Sequence, residues 1–89
     1  MNIPAFIKCH VYTTVYEQGK HNPTKGDEVF INIHHIVAYA PTVDCKVGSV
    51  LICTADGENR RVWETLHVVE AKIKYALEGI LMAYQNAQR

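Results

Sequence analysis

Between Ala5 and Glu64 apolar side chains recur at every second position in several segments, and from Leu66 onward they recur at every third or fourth. This change of period near Thr65 constrains the fold more than any other feature. A two-residue repeat lines one face of a strand, whereas a 3.6-residue repeat lines one face of a helix. Strands followed by one terminal helix bury both faces when the helix lies across an antiparallel sheet. The expected fold is therefore a single α+β domain over residues 1–89, an antiparallel sheet of four to five strands packed against one long C-terminal helix.

In the first strand Ile7, Cys9, Val11, Thr13 and Val15 alternate with Phe6, Lys8, His10, Tyr12, Thr14 and Tyr16. The first set is predicted to face the core. Residues Glu17 to Asp27 hold two glycines and an Asn-Pro step, which predicts a loop of about eleven residues. Alternation resumes at Glu28 with Val29, Ile31 and Ile33 inward, and breaks at a bend around Asn32–Ile36. Ile36, Ala38 and Ala40 then start a strand that stops at Pro41. A turn at 42–48 leads to a strand through Val50 and Ile52. Asp56-Gly57 suits a tight hairpin, and Arg60 to Glu64 returns with Val62 inward. The helix is expected from Leu66 to about Gln85, with Thr65 as N-cap and Glu70–Lys74 as an i,i+4 pair. Leu66, Val69, Ile73, Ala76 or Leu77, Ile80 and Tyr84 form its core stripe.

Composition narrows the function classes. Nine basic residues balance nine acidic ones, so the net charge lacks the positive excess of a dedicated nucleic-acid binder. No apolar run approaches the roughly 18–20 residues of a membrane span. The first residues, Met-Asn-Ile-Pro-Ala-Phe-Ile-Lys, carry no secretory-signal pattern. Three cysteines without CxxC spacing point to reduced thiols in a cytoplasmic setting.

One helix covers one face of a sheet, which leaves the other face to collect Phe6, His10, Tyr12, Tyr16, Phe30, Tyr39 and Trp63. The helix itself carries Val68, Tyr75, Leu81 and Met82 outside its core stripe. Both surfaces are apolar enough to want a partner. A two-fold homodimer is the simplest one, since a domain this small gains stability from assembly. The candidate interface residues are Tyr12, Tyr39 and Trp63 on the sheet and Tyr75, Leu81 and Met82 on the helix.

No reactive constellation emerges. Cys9-His10 and His34-His35 are neighbours in sequence and so point apart in extended chain, and no ligand pair has zinc-site spacing. Cys45 beside Lys46 lacks a base and an oxyanion site. The reading is of no enzyme, no catalytic residue, no cofactor and no metal. The rival from another class is a nucleic-acid-associated regulator using Asn59-Arg60-Arg61 with Trp63, Lys8, Tyr12 and Tyr16.

Phe6-Ile7-Lys8, Glu28-Val29-Phe30-Ile31-Asn32, His35-Ile36-Val37-Ala38, Ser49-Val50-Leu51-Ile52, the Asp56-Gly57 turn and Val62-Trp63-Glu64-Thr65 together resemble the FlbD-like (SwrD-like) small bacterial proteins over about residues 5 to 75. The resemblance implies a compact β-rich fold closed by a helix, without catalytic activity or cofactor. It also implies a bacterial or phage origin and an association with flagellar operons and motor function, similar short proteins occurring in other bacteria and in mobile elements. In that pattern Asn32 caps the bend with its side chain, and Glu64 and Thr65 start the helix. The segment from Glu17 to Asp27 and the last ten or so helical residues exceed the family pattern and point to a different partner or assembly.

Overall fold

The computed structural model describes residues 5–42 and 49–87. The elements in chain order are β1 (Phe6–Glu17), β2 (Lys20–Asn32), a 3-10 turn (Ile33–His35), β3 (Ile36–Pro41), β4 (Val50–Thr54), β5 (Asn59–Val62) and α1 (Leu66–Ala87). All strand pairs are antiparallel, in the spatial order β2-β1-β5-β4-β3. This is the expected α+β arrangement of a five-stranded sheet and one C-terminal helix. The segment 43–48, where the sequence puts a turn and Cys45, lies outside the described residues.

The core is a layer between sheet and helix. Ile7, Cys9, Ile31, Ile33, Val50, Ile52 and Val62 are buried from the sheet side, and Val69 enters from α1. Leu66, Ile73, Ala76 and Ile80 close over them, at the alternating spacings of three and four that one helix face provides. α1 starts where β5 leaves the sheet. The Trp63 N–H still donates to the His10 carbonyl at 2.8 Å, as a ladder residue would. One residue later the Glu64 carboxylate accepts the His10 N–H, at 2.5 and 3.2 Å, and satisfies a β1 donor that β5 no longer reaches. Thr65 caps the helix as expected, its hydroxyl accepting the Val68 N–H.

The segment from Glu17 to Asp27 is not a loop. It is a two-residue turn and the first half of β2, paired with β1 from Glu17↔Lys20 to Tyr12↔Lys25. Gln18 and Gly19 both have positive φ, 52° and 77°, which is the conformation that matches the twist of a two-residue hairpin. Polar composition misleads here because this arm is solvated on both sides, so nothing selects apolar residues. Pro23 is tolerated because β2 is the outermost strand. Because the arm is solvated on both faces, Thr13 and Val15, and Val11 at its root, all expected to face the core, are exposed.

A bulge separates arm from sheet. Two steps along β1, from His10 to Tyr12, match three along β2, from Glu28 to Lys25. Gly26 sits in this irregularity, where a Cβ would lie 2.7 Å from the Val11 carbonyl oxygen and 2.8 Å from Thr13 Cγ2. Gly26→Ala is expected to cost about 1–2 kcal/mol, the overpacking penalty less the entropy lost by the unfolded glycine. The urea midpoint measures it. A midpoint equal to that of the native chain would show that β1 yields freely at this point.

The molecule measures 61 by 23 by 21 Å. Its length follows from two overhangs. α1 runs antiparallel to β1, from Trp63 beside His10 towards Ala76 beside Phe6, so the hairpin arm and the last turns of α1 leave the sheet in opposite directions.

Candidate functional site: three apolar and aromatic surfaces

The first surface is on the sheet face away from α1. Tyr12 and Trp63 stack with ring centroids 6.1 Å apart and planes 29° apart, and the Arg61 guanidinium lies 3.9 Å above the Tyr12 ring. This guanidinium is tied down at both ends. Its Nε donates to Ser49 Oγ at 2.9 Å and one Nη to Thr42 Oγ1 at 3.4 Å, while the two hydroxyls are 2.7 Å apart. Arg60 is likewise paired, with Glu58. Tyr12 and Trp63 thus do share a face, as the alternation predicts.

Tyr39 does not join them. β3 carries a bulge between Ile36 and Ala38, where two residues of β3 oppose one step of β4. An extra residue reverses the face of every side chain beyond it. Tyr39 is therefore opposite the buried Ile52 and lines a hollow on the helix side, with Ile33, Ile36, Val37, Ile73 and Leu77. Alternation read without the bulge assigns Tyr39 to the wrong face.

The second surface is this hollow and its continuation along α1. At about 100° of rotation per residue, Leu77, Leu81 and Tyr84 fall within about 60° of one another, flanking the core stripe. Of the alternatives Ala76 and Leu77, Ala76 packs against the core, whereas Leu77 is more than half exposed, as are Leu81 and Tyr84, the last of which is expected in the core. The sheet ends before the helix does. Their spacing is that of buried residues, and only the length of the strands beneath them shows that no described residue covers them.

The third surface is a groove of about 540 Å³ between the first residues of β1 and α1, lined by Phe6, Ile7, Lys8, Val68, Ala71 and Tyr75 among others. Here β5 has already turned away, so on the side opposite β2 it is α1 rather than a strand that flanks β1. Tyr75, 79 % exposed, stands on its outer wall. Met82 follows Tyr75 two turns later on nearly the same bearing. Leu81 points about 100–120° away from both. The three helix residues grouped by the sequence as one stripe therefore belong to two faces.

Titratable groups add no converging chemistry among the described residues. Among the described residues no three His, Cys, Asp or Glu side chains cluster as metal ligands would. His10 Nδ1 lies 3.4 Å from a Glu64 oxygen, and His10 is thereby engaged at the helix start. Burial, and next the Glu64 carboxylate, push the Cys9 thiol up to about 11, against the pull of Lys72. A thiol so held is not a nucleophile near neutral pH. Asp56 is held below its ordinary value by the Thr54 hydroxyl and then the Glu58 N–H, which tie it into the β4–β5 turn. Asn32 Oδ1 accepts the His34 N–H at 3.0 Å and so caps the bend.

Among the described residues no helix is long and apolar enough to cross a membrane. Compared with known proteins, the chain matches no family model, no curated protein and no solved structure.

Proposed function

We propose that this chain is a non-enzymatic protein-interaction module that self-associates in a bacterial or phage cytoplasm, an FlbD-like scaffold adapted to its own partner. One observation carries the reading. α1 buries Val69 completely, whereas Leu77, Leu81, Met82 and Tyr84 in its second half are each more than half exposed. An apolar overhang on so small a domain is stabilised by a covering surface. The Asn32 cap and the Glu64-Thr65 helix start are consistent with the family pattern. The rival reading as a nucleic-acid-associated regulator depends on Arg60 and Arg61, which are held by Glu58 and by Ser49 and Thr42. We therefore favour the interaction module.

Sedimentation equilibrium of the full chain tests this. The native protein is expected to show a concentration-dependent dimer. The double variant Leu81→Glu, Met82→Glu, which charges both apolar faces of the overhang, is expected to remain a monomer with native circular dichroism. A dimer that tolerates both charges would remove α1 from the interface.

A further inference from the structure

We propose that the flank formed by the exposed edge of β3 and the second half of α1 is a two-fold interface with a second copy of this chain, in which Leu81 of each copy enters the hollow of the other. The inference rests on the self-association proposed above and names its surface.

The hollow and the side chain that fits it stand next to each other on one flank. The hollow has a volume of about 430 Å³ and is walled by Val37, Tyr39, Ile73 and Leu77. Leu81 follows Leu77 by one turn and projects beyond the sheet. A patch that carries both a hole and a knob is self-complementary under a two-fold axis, which is what an isologous interface requires.

The area agrees. Val37 is 72 % exposed and Tyr39 37 %, and with Leu77, Leu81 and Tyr84 they present roughly 500 Å² per copy, or about 1,000 Å² for a pair. That reaches the lower bound for a specific interface before any backbone or aliphatic stem is added. β3 itself, Ile-Val-Ala-Tyr-Ala-Pro, contains no charge at all.

The contact is between side chains. The bulge at Val37 and Pro41 at the end of β3 blunt this edge against strand addition. Assembly through it therefore closes at two copies instead of propagating a sheet.

The test compares Val37→Lys and Leu81→Glu with Tyr75→Glu, which charges the other apolar face of α1. Each is measured by sedimentation equilibrium on the full chain, with thermal melts to verify folding. The proposal expects Val37→Lys and Leu81→Glu each to weaken dimerisation at least tenfold and Tyr75→Glu to change it less than twofold. Two results would overturn the flank and leave self-association standing: a dimer lost only in Tyr75→Glu, or one retained in all three variants. A native chain that stays monomeric up to several hundred micromolar would overturn both.

Discussion

Val69→Asp is expected to abolish the cooperative thermal transition of this protein or to lower its midpoint by more than about 20 °C. Val69 is completely inaccessible and is the residue through which α1 enters the buried cluster of Ile7, Cys9, Ile52 and Val62. A carboxylate there has no cationic partner in the core and must lose its hydration. A buried polar group without compensation costs several kcal/mol, and an unpaired charge more. Total stability for a domain of this size is about 5–10 kcal/mol. Val69→Ala gives the packing part alone, about 1–3 kcal/mol. Tyr75→Asp, on the solvent side of the same helix, is expected to stay within about 0.5 kcal/mol. Melting followed by circular dichroism at 222 nm reads all three. A Val69→Asp protein melting within a few degrees of the native one would mean that α1 is not docked as described.

Raising the pH from 9 to 11 is expected to cost about 2 kcal/mol through Cys9 alone. The sign follows from proton binding. In the unfolded chain the thiol loses its proton near 9.0, whereas burial and the nearby Glu64 carboxylate keep it protonated to about 11 in the folded protein. Above pH 9 the unfolded state therefore binds fewer protons than the native one, and stability falls until the native thiol also ionises. Below pH 9 the contribution is fully present. Urea midpoints at pH 8, 9, 10 and 11, under reducing conditions, should decline more steeply in the native protein than in Cys9→Ala. All other ionisable groups are common to the two proteins, so their contributions cancel in the difference. Parallel curves would show that water reaches the thiol.

What could be read from the amino acids was whatever depends on local period. Ile7 and Cys9, Val50 and Ile52, and the change near Thr65 located the core layer and the helix, and Asp56-Gly57 located a hairpin. Two kinds of information were not local. One extra residue at Val37 turned Tyr39 to the opposite face, and bulges carry no fixed sequence signature. Leu77 and Tyr84 have the spacing of core residues, but whether a helical position is covered depends on the length of strands that are distant in sequence. The arm between Glu17 and Asp27 failed for a third reason. Strand pairing without burial leaves no hydrophobic alternation to detect, although Gln18-Gly19 did have turn chemistry. On the candidate surfaces, Tyr12 and Trp63 were correctly brought together, while Tyr75, Leu81 and Met82 were divided between two bearings.

The two opposed overhangs bear on how this protein will behave in a column. Its radius of gyration is 15.5 Å, against about 12 Å for a spherical chain of equal length. A particle nearly three times longer than it is wide experiences extra hydrodynamic drag, so a single copy will elute early, near the volume of a globular protein considerably heavier than its 10.1 kDa. Retention volume alone would thus imitate pairing, and light scattering, which weighs particles regardless of outline, is the appropriate companion to any chromatographic comparison of these variants.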